Sequence, residues 1–341
     1  MPSDVPAESR SDRRPGGRQT SDAPHVHVIT GKGGVGKTTV AAALAMSLAP
    51  PGGRTLLIEV EGRQGLAPLF DSPPLPYDER HVGAAPGGGE VFALAVDAEE
   101  ALLDYLSMFY KLGRAGRALR KFGAIDFATT IAPGLRDILL TGKVKEAATR
   151  TDHGRRVYDA VVLDAPPTGR ISRFLNVTVE ASKLARVGPI RTHSDGVARL
   201  LHSGRTAVHV VTRLEEMPAQ ETADAVAELS ALKLPVGNVI VNAVSTPLLD
   251  GARVTKAGLR RDLAAAGLPG DAGTVAGLAA EAKEHQRRLA VESRLREELG
   301  QLGRPIVELP LIADGIDLSG LYDLADLLRQ CHSASTPKGS P

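Results

Sequence analysis

The chain has almost no sulfur chemistry to offer. A single cysteine, Cys331, stands among 341 residues, which excludes an intrachain disulfide, a cysteine-based zinc site and an iron–sulfur cluster. An excess of one charge is also missing. The 41 Lys and Arg offset 40 Asp and Glu, for a net +1, so no global field draws the protein to nucleic acid or to an anionic membrane. Long apolar runs are absent: the best, Val40 to Ala49, is broken by Ser47 and is far short of the roughly 20 residues of a membrane helix. The first 24 residues hold only Met1, Val5, Ala7 and Ala23 as apolar side chains, too few for a signal-peptide core. A cytoplasmic setting without an integral membrane segment is the expectation.

Hydrophobic residues make up 43% and charged residues 24% of the chain, enough for a sizeable core in one large or two modest domains. Residues 1–24 and 333–341 are rich in Pro, Ser, Gly and charge, without apolar periodicity, and read as disordered tails. Between them, residues 25–332 alternate strand and helix patterns in the manner of a parallel sheet with crossover helices. His25–Thr30, Arg54–Val60, Tyr158–Asp164, Thr206–Thr212, Val236–Val244 and Pro305–Pro310 read as strands, several nearly all apolar and so buried on both faces. Helical patterns cover Lys37–Leu48, Pro218–Leu232 and Thr274–Leu299. Residues 98–150 carry helical patterns and no convincing strand, which predicts a helical subdomain inserted in the sheet domain. Aromatics concentrate around it: Phe70, Tyr77, Phe92, Tyr105, Phe109, Tyr110, Phe122 and Phe127, in a chain with six Phe, five Tyr and no Trp.

One motif carries the chemistry. Gly31-Lys32-Gly33-Gly34-Val35-Gly36-Lys37-Thr38-Thr39 matches the G-x-x-x-x-G-K-[ST] phosphate loop, and the strand–loop–helix context that the loop needs is present. Glycines let successive backbone N–H groups converge on an anion, and the following helix adds its positive N-terminal end. Lys37 would bridge the β- and γ-phosphates of ATP, and the Thr38 hydroxyl would bind Mg²⁺. Asp164, ending an apolar strand, stands where a carboxylate bonds the waters of that Mg²⁺.

The additional Lys32 makes GKGGVGKT resemble the deviant phosphate-loop ATPases, whose dimers pass this lysine across the interface to the partner's nucleotide. Further segments resemble the arsenite/anion-transporting and tail-anchored-protein-targeting ATPase family. Asp164-Ala165-Pro166-Pro167-Thr168-Gly169-Arg170 is similar to its switch II, and Phe92–Leu106 to its aspartate followed by an EALxxYL helix. Val241-Asn242 resembles its adenine-reading asparagine, and Glu308-Leu309-Pro310-Leu311 its C-terminal loop flanking the nucleotide. LIEVEGRQGLAPLF, IAPGLRDILLTGKVKE and DAPPTGRISRFL bring the chain nearest in look to paired actinobacterial members. The resemblance, over about residues 26–330, implies a doubly wound, mainly parallel α/β sheet of the deviant P-loop NTPase type. It also implies MgATP hydrolysis by a dimer, homomeric or formed with a paralogous ATPase. Nucleotide contacts would come from residues 31–39, Asn242, Pro310 and Leu311, with Lys32, Lys37, Glu61 and Asp164 as catalytic groups.

Departures from the family qualify its function. Alignment places Glu61-Gly62-Arg63-Gln64-Gly65 where switch I usually reads D-P-A-H-S, so the water-activating carboxylate is displaced by one methylene, and about 1 Å of misplacement can cost on the order of 100-fold in rate. Arg170 replaces the switch II histidine, free to reach a phosphate, a partner or solvent. The cysteine triad for arsenite and the paired-cysteine zinc clasp are missing, and the insert holds Met108 alone where a transmembrane-helix groove would be methionine-rich. The client of the insert, protein or small molecule, is left open. Two other readings stand beside the ATP-driven switch: a regulatory or scaffold subunit with little turnover, and a partition-type DNA-associated ATPase, although no nucleic acid partner is expected from the charge. His25-x-His27 is either a metal pair or an ordinary pair of core or solvent histidines. Arg114, Arg117, Arg120 and Lys121 form a helical face for solvent or for an acidic partner.

Overall fold

The computed structural model describes residues 23–110, 133–184, 189–249, 253–313 and 315–335. The arginine face at 114–121 and the aromatics Phe122 and Phe127 lie outside them. The chain opens with β1 (Val26–Gly31), α1 (Lys37–Ser47) and β2 (Arg54–Glu59). After a 3-10 turn at Ala67–Phe70 come β3 (Arg80–Ala84), β4 (Glu90–Ala95), α2 (Ala98–Tyr110) and α3 (Pro133–Thr149). A two-residue hairpin, β5 (Thr151–Asp152) with β6 (Arg155–Arg156), leads into β7 (Ala160–Asp164), α4 (Thr168–Leu184) and α5 (Pro189–Leu201). The rest runs β8 (Thr206–Thr212), α6 (Glu216–Ala231), β9 (Val236–Val244), α7 (Lys256–Ala265), α8 (Ala272–Gly300), β10 (Ile306–Pro310) and α9 (Leu318–Ser335).

Eight strands form one sheet in the order β10-β9-β8-β1-β7-β2-β4-β3, parallel except for the antiparallel β3–β4 pair. This is the doubly wound, mainly parallel α/β architecture. Both faces are covered, and the strands show why their sequences are apolar throughout. Val26, Val28, Leu56, Ile58, Val161, Leu163, Val208 and Val210 enter the core under α3–α6, whereas Ile29, Leu57, Val162, Val211 and Ile240 enter the core under α1 and α9. Residues of odd and even position thus feed opposite layers. On the second face α1 packs on α9, and all of Val40–Met46 is buried. A helix buried all round has no polar face to display, so Ala, Val, Leu and Met suffice.

Two strands of the main sheet, besides the short β5–β6 hairpin, escape the sequence reading. β4 (EVFALA) lies beside β2, and β3 (RHVGA) forms the antiparallel edge. An edge strand is half wet, so β3 lacks the unbroken apolar signature used to find the others. The Ala98–Tyr110 and Pro133–Thr149 helices fall inside the residue range read as helical. Ala101, Leu102, Leu139, Leu140, Val144 and Ala148 from them join the main core. The α2 start is legible locally: Asp97 Oδ1 accepts from the Glu99 and Glu100 backbone N–H groups, and Asp271 caps α8 the same way.

Candidate functional site

The site forms at the C-terminal ends of three neighbouring strands. β7 lies between β1 and β2, and its register sets Asp164 beside Ile29 on one side and Glu59 on the other. Asp164 has the side parity of Val162, so it faces the α1 layer. The loop leaving β1 turns sharply into α1, and two glycines make the turn possible. Gly31 (φ +154°) passes so close to β8 that a Cβ would overlap the Val211 carbonyl. Gly36 (φ +90°) caps α1 and would drive a Cβ into the Asn242 amide. No acidic side chain occupies the first turn of α1 and no side chain caps it, so its free N–H groups and positive end face the loop.

The side chains that the sequence singles out converge there. Thr38 Oγ1 donates to Asp164 Oδ2 at 2.7 Å. Asp164 is 8% exposed, and its Oδ1 is buried without a hydrogen-bond partner. Burial pushes its carboxyl up to about 6; Thr38 and Lys37 oppose the rise, and the charges of Glu59 and Glu61 add to it. Lys37 folds over its own loop, Nζ donating to the Lys32 carbonyl at 3.4 Å, and burial holds its ammonium below the usual lysine value against Asp164 and Glu61. Crowded carboxylates around an orphaned buried oxygen and a hydroxyl are a donor set suited to a hard divalent cation. By this test the Thr38 hydroxyl and the Asp164 carboxylate fit a hard divalent cation such as Mg²⁺.

Glu61 stands just past β2, largely covered, with Arg63 at 3.6 Å and Arg170 at 3.8 Å. Arg170 also faces Asp137 of α3 at 3.8 Å, so it bridges the switch I carboxylate to that helix. Burial raises the Asp137 carboxyl, partly countered by Arg170, Arg136 and Arg173. Glu61, Arg63, Arg136, Asp137 and Arg170 line a polar cavity of about 190 Å³ between switch I, switch II and α3. A larger cleft of about 430 Å³, between α6 and α8, holds none of the sequence-derived site residues.

Asn242, near the end of β9, donates from Nδ2 to the Val35 carbonyl at 2.9 Å, fastening the phosphate loop to the far side of the sheet. Pro310 and Leu311 leave β10 alongside; the Leu311 N–H bonds the Val244 carbonyl, and the Leu311 side chain is exposed. Gly33 and Gly34 are exposed at the loop tip, Val35 is buried beneath it, and Thr39 continues α1. Lys32 does not dangle in solvent: its Nζ lies 2.6 Å from Glu221 of α6.

Glu59 and Glu221, like Asp137, escape sequence reasoning. Glu59, 2% exposed, accepts from the Gly65 and Leu66 N–H groups and so shapes switch I. A lone acid closing the apolar strand RTLLIE was the available signal. Glu221 has no signal in its own neighbourhood. The histidine pair is dispersed: the His25 ring meets the Asp159 and Ala148 carbonyls, and His27 stacks on His209. Among the described residues, no group of three or more His, Cys, Asp or Glu could hold a metal, and no helix is long and apolar enough to cross a membrane.

Comparison with known proteins gives the family. The family model described as Anion-transporting ATPase matches residues 25–201. "ATPase BagA" of Mycobacterium tuberculosis is 51% identical over 314 residues, spanning 89% of this chain and 92% of that protein. "ATPase GET3" of Kluyveromyces lactis is 31% identical over 177 residues, 48% of this chain and 50% of that protein. The "Arsenical pump-driving ATPase" of Acidiphilium multivorum is 26% identical over 240 residues, 63% of this chain and 39% of its own length.

Proposed function

The chain belongs to the anion-transporting ATPase family and on that footing is an ATP-binding ATPase; from this premise we propose that it is a Mg²⁺-dependent molecular switch that closes as a dimer on ATP. The observation that carries the reading is the pairing of Thr38 with Asp164 behind a glycine-lined loop, with one Asp164 oxygen buried and unpartnered. Bound Mg²⁺ would supply charge neutralisation on the β- and γ-phosphates. The N–H groups of residues 33–38 and the Lys37 ammonium would hold those phosphates and strengthen their contacts as negative charge builds on the leaving oxygen. Glu61 would orient a water in line with the γ-phosphorus and take its proton on a carboxylate oxygen. The bond to the bridging oxygen breaks with its electron pair going to ADP. Asn242, Pro310 and Leu311 would flank the adenine, and Lys32 would act on the partner's nucleotide.

Without a cysteine cluster, the chain lacks the soft ligands that arsenite would need, so the output is movement of switch II and α3 rather than metalloid transport. The Arg170 bridge from Glu61 to Asp137 gives that movement a route, with the insert as the client surface. A second reading has its own support. Glu61 stands in contact range of both Arg63 and Arg170, and a carboxylate engaged by two guanidinium groups must give up those contacts to turn toward a water, which favours a slow subunit that turns over beside a paralogue. Single-turnover assays with Mg²⁺ and ATP separate the two. The switch hydrolyses bound ATP alone and loses hydrolysis but not binding in Glu61→Gln; the regulatory subunit hydrolyses only with a co-expressed paralogue. A Lys37→Ala chain that is stabilised by MgATP as well as the unmodified chain would place the nucleotide elsewhere and sink both.

A further inference from the structure

Lys32 and switch II are joined by a residue that belongs to neither. The two oxygens of the Glu221 carboxylate are both engaged: Oε1 lies 2.6 Å from Lys32 Nζ, and Oε2 accepts from Thr168 Oγ1 at 3.2 Å. Thr168 begins α4 in the middle of switch II and is 7% exposed. Glu221 rides on α6, whose Ala219, Thr222 and Ala225 are buried and whose body packs against α4 and the sheet, so its position is set by the fold. An ordinary surface ion pair leaves its second carboxylate oxygen in water. Here that oxygen grips the switch.

We propose that Glu221 is a positioning residue that parks Lys32 within its own subunit and fastens it to switch II, so that closure on ATP begins with release of this bridge. The inference rests on the cross-subunit role of Lys32 stated above. An ammonium held at 2.6 Å by a carboxylate of its own chain must leave that carboxylate to reach phosphates bound to another chain. The same departure frees one Glu221 oxygen and loosens its hold on Thr168, so the phosphate loop and switch II change state together. The bridge is half-exposed, with 30% and 37% of the Lys32 and Glu221 side chains accessible, so each one holds the open state by only about 1.4- to 5-fold. A two-fold dimer breaks two bridges, and the factors multiply to about 2- to 30-fold. That strength biases the nucleotide-free protein toward separate subunits and is weak enough for ATP to overcome.

The test uses the full chain with Mg²⁺ and a non-hydrolysable ATP analogue, and reads dimerisation by sedimentation velocity. Glu221→Gln keeps the shape and removes the charge; it is expected to dimerise at about 2- to 30-fold lower protein concentration than the unmodified chain. Lys32→Ala should dimerise poorly, and adding Glu221→Gln to it should change nothing further. Hydrogen exchange on the nucleotide-free chain reads the bridge by itself: Glu221→Gln and Thr168→Val should each speed exchange across residues 164–172. A Glu221→Gln chain that dimerises no better than the unmodified one, with Lys32→Ala impaired, overturns the proposal while sparing the role of Lys32. Unchanged exchange in both variants overturns the bridge. Lys32→Ala dimerising like the unmodified chain refutes the cross-subunit role, and the release step falls with it.

Discussion

Asp164→Asn should make the nucleotide-free protein more stable while abolishing its response to MgATP. Burial and the neighbouring Glu59 and Glu61 charges push the Asp164 carboxyl from an ordinary 3.8 up to about 6. Its folded value therefore lies above its unfolded one, and the ionised group opposes folding. The sign follows from proton counting: between those two values the folded state holds the extra proton, so stability falls as pH rises through this window. Above pH 6 the penalty is complete, and a shift of this size corresponds to about 3 kcal/mol at 1.36 kcal/mol per pH unit. Asparagine removes the charge, keeps the volume, and leaves an oxygen to accept from Thr38, so the gain at pH 8 should be about 1–3 kcal/mol after relaxation of the site. Below pH 4 aspartic acid is itself neutral, and the two proteins should converge. Urea unfolding in EDTA, at pH 8 and at steps down to 4, measures this. The variant should show no midpoint shift with Mg²⁺ and ATP, whereas the unmodified chain gains stability by mass action. An Asp164→Asn chain less stable than the original at pH 8, or a difference that stays constant down to pH 4, would refute the argument.

Gly36→Ala should weaken nucleotide binding and cost stability together: alanine in a left-handed conformation costs roughly 1–2 kcal/mol, and its Cβ would displace the Asn242 amide. Calorimetry with MgATP and a thermal melt check this, and Gly34→Ala, whose Cβ meets only open space, is the control for φ alone. His25 is held below its ordinary 6.5 chiefly by burial, with Arg156 and Arg205 assisting against the Asp159 and Ala148 carbonyls. Its folded value is the lower one, so its contribution to stability is complete above pH 6.5 and is lost as pH falls from there. His25→Gln should flatten the decline in urea midpoint between pH 7.5 and 5.5, and an unaltered slope would count against a neutral buried imidazole.

The phosphate loop was legible because everything it requires is consecutive. A strand, glycines at turn positions, a lysine, a hydroxyl and an Ala-rich helix interact over a few bonds, and local backbone sterics fix their relation. The apolar strands were legible for a similar reason, since burial on both faces leaves no polar positions to obscure them. β3 was not, because a half-wet edge strand has no such signature, and β4 hid beside the likeness of Phe92–Leu106 to an aspartate-and-helix segment. Within the site, Glu61 and Arg170 were legible as individual residues, but the bridge through Asp137 was not. Asp137 is one of two acids on α3, with nothing local to single it out, until that helix docks against switch II. Glu59 and Glu221 mark the limit most clearly. Glu59 becomes a clamp only when the chain after β2 folds back so that the Gly65 and Leu66 N–H groups reach it. Glu221 meets Lys32 and Thr168 because the sheet places β8 beside β1, which brings α6 over the phosphate loop. Sequence by itself determined the groups that can bind a phosphate, since that chemistry needs only neighbours along the chain. The tertiary structure decided which distant carboxylates hold those groups, because strand order is set by how the helices pack across the sheet.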